Sequence, residues 1–552
     1  MREKGTATPK IIHVTNRKNG VTYLYEDHAF WNKEKKRGEH KRTCIGKIGP
    51  DGKEQFNERY RSRIKDDGSS PVVSKTILMG QNLILDKVAR HTGILPHLKA
   101  VFGEEDAGKI ISLAKYSVCE GKALSRAQDW LDARGMDGSS LCPQRISELL
   151  ESISEDKRNA FFRSWLSREA VGKRALLFDI TSISSYAKGN PFVERGYNRD
   201  HERLPQINLG LLSSHTANTP LWYTQLPGSM SDCAVLSFVL DSLEKLGVKD
   251  IELVGDRGFY SEGNIRNIVS RGQRFTIPVP SRISWQKELV DKVKGDLRMP
   301  GNIIRTPGED KSFIYGVTDY RTESWGRSWR HVYFDPARRE GDIDSLMLLL
   351  RQCEQELSDD RPVESHQDIY RTYFTVKETP KRGRKVILDR AAVDAYANGY
   401  SGYWVLLSNA CKDASEALDH YRRRGDIELQ FDDMKNLLDC GRLRVHSDAA
   451  MQGRLFVNFV TLVILTEYRR GVSAIPPKDR HWWDGGDMLA KSATYARIHF
   501  TGKYKDVWAV PTKAQRTIFD LLGISYSWKG KNVNEPEPDE PEWAENGPVI
   551  PT

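Results

Sequence analysis

Cysteine is scarce and scattered in this sequence. Seven cysteines occur in 552 residues, and no two of them are closer than about twenty residues along the chain. None belongs to a C-x2-C pair or stands beside a histidine at the spacing of a zinc-binding motif. The cysteine pattern therefore argues against a disulfide framework and against a structural zinc module, and it fits a reducing compartment.

Long apolar runs are also missing. The longest, 455–466, is interrupted by Asn458 and Thr461 and flanked by Arg454 and Arg469. A run of this length is too short to cross a bilayer, so it predicts a buried helix, and no membrane association is expected. The first thirty residues contain no apolar stretch of signal-peptide length, which argues against export.

The overall composition is that of a globular chain. Hydrophobic residues make up 39% and charged residues 29%, which excludes a collagen-like chain, a wholly disordered chain and an integral membrane protein. No internal repeat is present, which argues against a solenoid or a propeller. At roughly 100–200 residues per domain, the length predicts about three to four domains.

Positive charge is in excess and is unevenly distributed. The chain has 84 Lys and Arg against 75 Asp and Glu, a net charge of +9. Residues 1–65 hold seventeen basic and eight acidic side chains, a local excess of 9. Residues 532–552 hold six acids and no base, so the rest of the chain carries +15. This distribution suggests a polyanionic partner, most often nucleic acid, although a solvated basic surface would look the same.

Periodicity and turn signals divide the chain into regions. Near the N-terminus, Asn19-Gly20 predicts a hairpin turn, 31–37 a basic loop with an aromatic residue, and 66–71 a linker. The helical region is either a DNA-binding module or a scaffold. The predicted regions are 1–70 (basic, β-rich), 76–170 (helical), 171–280 (first part of a mixed α/β core), 281–400 (mixed α+β insertion), 401–475 (second part of the core), 476–528 (C-terminal region) and 529–552 (acidic, disordered tail).

Two aspartates are each predicted at the carboxyl end of a strand. Asp179 ends the apolar run 175–179, and Asp256 follows the predicted strand 251–254. Open α/β sheets place their sites at strand ends of this kind. Two oxygen ligands with no Cys or His nearby suit Mg²⁺ or Mn²⁺. The alternative is that each acid only caps the helix after it.

A third group of polar residues lies on a helix predicted over 412–438. Tyr421, Arg424, Glu428 and Lys435 fall within an arc of about 60° when successive residues are about 100° apart. This face offers an acid for a metal ion, two cations for phosphate, and a phenol that can donate to phosphate or stack on a base. A solvated charged face is the alternative, and the two strand-end aspartates favour a site.

The same helix suggests what its cations do. Asp426 and Asp433 lie far around the helix from the shared face, and only Asp432 is placed to pair with Lys435. We therefore expect Arg424 and Lys435 to act on phosphates and not on the fold, with the stronger case for Arg424.

These residues resemble the signature of a large clan of bacterial insertion-sequence DDE transposases. Residues 421–435 match its Y-x2-R-x3-E-x6-K pattern, and 179–181 and 256–260 match the contexts of its two catalytic aspartates. The segment 228–232 resembles the clan's G-N-x-x-D loop, with Ser229 in place of the usual Asn. The stretches 196–206 and 444–447 and the β-rich N-terminus resemble one subgroup, and the resemblance covers about 10–60 and 170–470.

The resemblance implies an RNase H-like core, split by an insertion in the 172 residues between Asp256 and Glu428 (428 − 256). It also implies two divalent ions, Mg²⁺ or Mn²⁺, which activate water or a DNA 3′-hydroxyl and stabilise the leaving oxygen. The implied catalytic and metal-binding residues are Asp179, Asp256 and Glu428. The implied DNA contacts, at phosphates of the transposon end, are Tyr421, Arg424 and Lys435.

The resemblance further implies a DNA transposase that binds insertion-sequence ends and catalyses strand cleavage and strand transfer. Its expected partners are double-stranded transposon-end and target DNA, and a second copy of the chain in a homodimer on paired ends. Its expected location is the bacterial cytoplasm, at the nucleoid.

Three other functions are compatible with parts of the pattern. A domesticated nuclease or recombinase on the same fold would carry the same three acids, and only the DNA flanking the gene would distinguish it. A non-catalytic basic DNA-binding protein is less consistent with an intact set of acids. A phosphatase with Asp179 as nucleophile would be expected to carry an acid at position 181, where Thr181 stands.

Overall fold

The computed structural model describes most of the chain residue by residue. The described residues are 10–32, 35, 37–50, 52–65, 72–136, 138–167, 174–185, 190–196, 198–199, 202, 204–230, 232–305, 313–379, 383–438, 442–443, 447–501, 504–528 and 531–533. The chain divides into two compact units, which are 1–77 with 496–509, and 78–495 with 510–552.

The strands of the described residues are, in chain order, β1 (Lys10–Thr15), β2 (Thr22–Asn32), β3 (Arg37–Ile48), β4 (Glu54–Phe56), β5 (Val73–Leu78), β6 (Arg174–Ser185), β7 (Gln206–Ser214), β8 (Pro220–Pro227), β9 (Ile251–Val254), β10 (Arg274–Val279), β11 (Ile303–Arg305), β12 (Phe313–Glu323), β13 (Gly326–Phe334), β14 (Phe374–Thr379), β15 (Gly383–Leu388), β16 (Tyr403–Ser408), β17 (Arg442–Leu443), β18 (Ala496–Phe500), β19 (Val507–Trp508), β20 (Tyr526–Trp528) and β21 (Lys531–Val533).

The α-helices of the same residues are α1 (Glu58–Lys65), α2 (Gly80–Thr92), α3 (Ile94–Glu120), α4 (Ala127–Asp132), α5 (Pro143–Ser152), α6 (Glu155–Ser167), α7 (Asp232–Lys245), α8 (Glu262–Ser270), α9 (Ser284–Leu297), α10 (Pro336–Ser358), α11 (Gln367–Tyr373), α12 (Arg390–Gly399), α13 (Ala414–Arg422), α14 (Arg424–Asp432), α15 (Asp448–Ser473), α16 (Gly485–Ser492) and α17 (Lys513–Leu521).

The first unit contains two small sheets. Strands β1 to β4 form an antiparallel sheet in sequence order, with a core of Leu24, Ile45 and Tyr60. Gly20, in the predicted hairpin turn, has a φ of +68°, which a glycine adopts without strain. Of the predicted basic loop 31–37, positions 33, 34 and 36 lie outside the described residues. The second sheet has the order β19-β18-β5.

Helices dominate the second unit on either side of its sheet. The helix α15 packs against α2, α3 and α5 and against β8. Its apolar stretch is long enough to cross a membrane by length and composition, but 83% of that stretch is buried inside the structure. This burial is that of a core helix, as the interrupted apolar run predicts.

A ten-stranded mixed sheet forms the centre of the second unit. Its order is β11-β12-β13-β16-β10-β9-β6-β7-β8, with β17 paired to β6. Strands β6, β9 and β10 are parallel to one another, whereas β7 and β8 on one side and β16, β13, β12 and β11 on the other join in antiparallel fashion. The predicted mixed α/β class is therefore confirmed.

The segment 281–400, predicted to be an insertion, has two parts. Strands β11 to β13 belong to the central sheet, because β13 pairs with β16 along its length. The remainder, 336–399, packs around its own core of Leu350, Cys353, Leu357, Tyr370 and Phe374. Within it, α11 extends to Tyr373 and β14 begins directly afterwards at Phe374.

The C-terminal segment also differs in part from expectation. Residues 531–533, expected to be disordered with the rest of 529–552, form β21 and pair with β20. The other residues of that predicted tail lie outside the described residues.

Candidate active site

Asp179 lies on β6, and Asp256 lies two residues past the end of the neighbouring parallel strand β9. In the pairing of β6 with β9, Leu177 stands opposite Val254. Each aspartate comes two residues later on its own chain segment, and parallel neighbours advance together, so the two side chains reach the same level of the sheet. Asp256 follows the end of β9, as predicted.

The prediction that Asp179 ends a strand is wrong. Strand β6 continues to Ser185, six residues further, and its second half pairs with β7. Ile180 and Ile183 extend the buried apolar pattern, and Thr181 and Ser182 between them are buried as well. Asp179 therefore lies in the middle of a long strand, at the level where its neighbour β9 stops.

Asp256 also has the structural role that the alternative interpretation gave it. Its Oδ1 accepts a hydrogen bond of 2.6 Å from the Arg257 backbone N–H and begins the short helical turn Arg257–Phe259. The same Oδ1 lies 2.9 Å from Nη1 of Arg424. The turn fixes the carboxylate, and its outer side, 37% exposed, faces the helix that carries Arg424.

The helix predicted over 412–438 is not continuous. Helix α13 ends at Arg422, Arg423 separates it from α14, and the residues Asp433–Leu437 form a π-helical turn. Extra residues in a π turn rotate everything after them relative to an α-helix. The shared-face calculation therefore holds for Arg424 and Glu428, which both lie in α14, but not across the whole of 421–435.

Arg424 joins two of the three predicted catalytic acids. One guanidinium nitrogen pairs with Asp256, and the other pairs with Oε1 of Glu428, one turn along α14. The expectation that Arg424 lacks acidic partners is therefore wrong. Glu428 lies one turn along the same helix, and Asp256 reaches Arg424 from the end of β9, a contact that helical spacing cannot show.

Burial makes the carboxyl group of Asp179 a weaker acid than usual. Desolvation raises the pKa of its carboxyl to about 6, and the nearby charge of Asp256 adds to this rise. The Arg424 charge and the hydrogen bond of 2.8 Å that Asp179 Oδ1 accepts from the Ile180 N–H act in the opposite direction. Because the charged form of this buried carboxylate is unfavourable by itself, a nearby cation should stabilise it strongly.

The buried side of α14 holds Glu428 over the sheet. Ile427, Gln430 and Phe431 are buried, and Gln430 accepts a hydrogen bond of 2.6 Å from Ser213 Oγ on β7. Gln430 also donates at 2.7 Å to the backbone oxygen of Asn218. Glu428, whose side chain is 54% exposed, therefore lies at the open edge of this buried face, about 100° around the helix from Ile427.

Tyr421 and Lys435 flank this group at different distances along the chain. Tyr421 packs at the edge of the apolar cluster of Tyr333, Trp404 and Leu418, and the Arg424 guanidinium lies 5.8 Å from its ring centre. Burial raises the pKa of its hydroxyl. Lys435 is half-buried in the π-helical turn, eleven residues after Arg424 by number.

The donor set fits a hard divalent cation. Its three members are carboxylates, the ligands that Mg²⁺ and Mn²⁺ prefer. Among the described residues, two other groups of three His, Cys, Asp or Glu side chains have ligand atoms that all lie within 4.8 Å of one another. The ligand atoms of Asp179, Asp256 and Glu428 are not that close together. The Arg424 guanidinium, paired with two of the three, keeps positive charge where the acids face each other.

Two polar side chains near the acids escaped the sequence interpretation. The charge of Arg199 lowers the pKa of Asp179. Asn208 on β7 donates hydrogen bonds of 3.2–3.3 Å to the backbone oxygens of Pro227, Gly228 and Met230, and so holds the loop that resembles the G-N-x-x-D motif. An asparagine inside a buried strand was the available signal, because a buried amide needs partners.

Two aspartates at neighbouring positions of the sheet, with a glutamate and an arginine on a nearby helix, form a carboxylate set of the kind that can hold divalent ions for phosphoryl transfer. A family model described as "Transposase DDE domain" matches residues 171–464, more than half of the chain. The protein belongs to this family. It is a DNA-binding transposase whose strand cleavage and strand transfer depend on divalent metal ions.

Solved transposase structures also resemble the chain at low similarity. The cryo-EM structure of the piggyBac transposase synaptic complex with hairpin DNA has 11% identity and a TM-score of 0.32, covering 79% of this chain and 70% of that one. The Mos1 transposase paired-end complex with the left transposon end has 11% identity and a TM-score of 0.14, covering 28% of this chain and 58% of that one. No curated protein sequence matches significantly.

Proposed function

We propose that Asp179, Asp256 and Glu428 are the catalytic carboxylates of this transposase and that they hold two Mg²⁺ or Mn²⁺ ions. The observation that carries the proposal is the register of β6 and β9, which brings two aspartates from distant sequence positions to one level of the sheet. Arg424 pairs with both Asp256 and Glu428, which supports including Glu428 as the third acid. We further propose that the central sheet with its flanking helices is an RNase H-like core.

Divalent ions bound by such carboxylates activate water or a DNA 3′-hydroxyl and stabilise the leaving oxygen. The protein side chains supply the frame. Asp179 is held by the backbone pairing of β6, Asp256 by the turn that follows β9, and Glu428 by the packing of α14. The raised pKa of Asp179 keeps this acid sensitive to the presence of a cation near neutral pH.

Tyr421, Arg424 and Lys435 are proposed to hold phosphates of the transposon end. For Arg424 the structure adds a second task, because the same guanidinium neutralises the acids. A phosphate that takes the guanidinium would free Asp256 and Glu428 together. DNA binding and the availability of these two acids for metal ions would then be coupled through the Arg424 side chain.

The remaining assignments complete this proposal. The enzyme acts as a homodimer on paired insertion-sequence ends, joins them to target DNA, and works in the bacterial cytoplasm at the nucleoid. The division into 1–70, 76–170, a split core, an insertion and C-terminal regions is retained as a proposal. A domesticated nuclease with the same acids would cleave DNA and lack inverted repeats beside its gene.

A cleavage assay on the native flanking DNA tests the proposed function. Full-length protein with Mg²⁺ should nick or cut labelled DNA that spans the element end, and chelation should stop it. Glu428→Gln, which keeps the size and hydrogen-bonding capacity of the side chain, should bind the same DNA and not cut it. Cutting by Glu428→Gln at the wild-type rate would refute the assignment of this residue.

We also predict that residues 1–65 contribute to DNA binding. Their sheet β1 to β4 has its own small core, so removing 1–65 takes away a complete element rather than part of one. The loss of a local charge of +9 should weaken end binding and flatten its salt dependence, because each phosphate contact contributes about −0.9 to the slope of log K against log salt. Binding measured at several salt concentrations checks this, and an unchanged slope would mean that these charges face solvent.

A further inference from the structure

A second cluster of chemically reactive side chains lies beside the carboxylate site. Glu252 is on β9, Cys411 follows β16, and His420 is on α13, so three separate elements meet there. Glu252 is 3% exposed and Cys411 is fully buried. We propose that Glu252, Cys411 and His420 bind a structural zinc ion. This site is independent of the proposed catalytic acids.

The spacing of the three ligand atoms fits tetrahedral zinc. Glu252 Oε1 lies 3.0 Å from His420 Nδ1 and 3.6 Å from Cys411 Sγ, and Cys411 Sγ lies 3.4 Å from His420 Nδ1. Zinc bonds of about 2.0–2.2 Å to N and O and about 2.3 Å to S, at tetrahedral angles, separate N from O by about 3.4 Å and S from either by about 3.6 Å. All three distances agree with these values to within about 0.4 Å.

Hydrogen bonding alone accounts poorly for this arrangement. The three atoms are mutually close, but a neutral imidazole nitrogen carries at most one hydrogen and a thiol has one. In addition, Glu252 Oε1 accepts a hydrogen bond of 2.7 Å from Thr276 Oγ1. Three donors thus converge on one oxygen atom. A single cation at the centre would satisfy the thiolate, the imidazole and the carboxylate at once.

A fourth ligand stands next to the cluster. His215 is 5% exposed, and its ring centre lies 4.5 Å from that of His420. Its Nε2 is buried without a hydrogen-bond partner among the residues that the structure describes. His215 is therefore the side chain proposed as the fourth ligand. The set of thiolate, imidazole and carboxylate selects zinc over Mg²⁺, which prefers oxygen ligands.

The position of the cluster indicates which parts of the fold the zinc would stabilise. Glu252 lies four residues before Asp256, and His420 lies four residues before Arg424. A metal that ties β9 to α13 would fix the two segments from which the carboxylate site is built. Its loss should loosen that connection without removing a catalytic side chain.

Metal analysis of the full-length protein tests the proposal. Protein purified without chelator and without a metal-affinity tag should contain about one zinc per chain by mass spectrometry, which is the stoichiometry of one structural site. Cys411→Ser keeps a small hydroxyl donor for Glu252 but removes the thiolate, so it should lose most of that zinc. Asp179→Asn should retain it, which separates this site from the catalytic one.

Cys353→Ser is the matched control. Cys353 is also buried near a glutamate and a histidine, but among the described residues its Sγ makes no hydrogen bond to either, whereas Cys411 Sγ lies 3.6 Å from Glu252 Oε1 and 3.4 Å from His420 Nδ1. This variant should keep its zinc. Cobalt substitution should give a thiolate-to-cobalt absorption band in wild type and in Cys353→Ser, and none in Cys411→Ser. Wild-type protein with no zinc, even after incubation with zinc and desalting, or equal zinc in Cys411→Ser, would overturn the proposal.

Discussion

Replacing Asp179 by Asn should abolish strand cleavage and, at the same time, make the fold more stable at neutral pH. Asparagine keeps the shape of the side chain and can still accept the Ile180 hydrogen bond, but it cannot bind a divalent ion as a carboxylate does. Removing one ligand leaves too few to position the ions, so the cleavage rate should fall by about 10³-fold or more.

The gain in stability follows from the raised pKa of Asp179. This pKa is about 6 in the folded chain against an ordinary value of 3.8, so folding favours the protonated acid. Below about pH 4 both states are protonated and the carboxyl costs nothing, whereas above about pH 6 the folded state carries the full cost, at most about 3 kcal/mol. Asp179→Asn should therefore raise the melting temperature at pH 8 and leave it nearly unchanged at pH 4.

Melting curves across this pH range, with and without Mg²⁺, check the prediction. Mg²⁺ should stabilise the wild type and have little effect on the variant. Asp344→Asn, at an exposed position of α10, is the control and should change neither melting nor cleavage. A variant that melts lower than wild type at pH 8 would contradict the view that Asp179 is charged at a cost.

Arg424→Ala should lose cleavage and also lose stability when no divalent ion is present. The side chain is largely buried and pairs with Asp256 and Glu428, so its removal leaves like charges facing one another. Truncating one partner of a partly buried ion-pair network costs more than the about 0.3–0.5 kcal/mol of an exposed helix pair. We expect a drop of several degrees in melting temperature, most of which Mg²⁺ restores.

A conservative variant and a control variant test this prediction further. Arg424→Lys keeps the charge but cannot reach two acids at once, so it should recover part of the stability and little of the cleavage. Arg266→Ala removes an exposed partner of Glu262 on α8 and should be nearly silent. If Arg424→Ala melts like wild type without Mg²⁺, the ion pairs contribute nothing, and the role of Arg424 is confined to DNA.

The sequence predicts the candidate site better than it predicts the elements that carry it. The contexts of Asp179 and Asp256 and the spacing of Arg424 and Glu428 are local, so they are visible in one strand or one helical turn. The continuation of β6 past Asp179 depends on partners from β7, and the pairing of Arg424 with Asp256 joins positions 168 apart (424 − 256). The hydrophobic periodicity of the sequence carries no information about contacts between such distant positions.

Other differences have the same origin. The break at Arg423 and the π turn that follows leave no mark in hydrophobic spacing. Strands β11 to β13 look like part of an insertion until their pairing with β16 is known. Glu252, Cys411 and His420 come from three elements, so their spacing along the chain matches no local zinc-binding motif. Sequence arguments against zinc apply only to ligands that are neighbours along the chain.

The three acids differ in how firmly the backbone holds them. Asp179 lies within β6, and Asp256 caps the turn directly after the neighbouring strand β9, so backbone hydrogen bonds hold both of them in place. Glu428 stands on a short helix bounded by Arg423 and by a π turn, two places where a helix changes direction at low cost. The site therefore consists of a stationary pair and one adjustable member. Any event that assembles or dismantles it acts through the geometry of α14, and residues at either end of this helix can tune the enzyme without touching the acids.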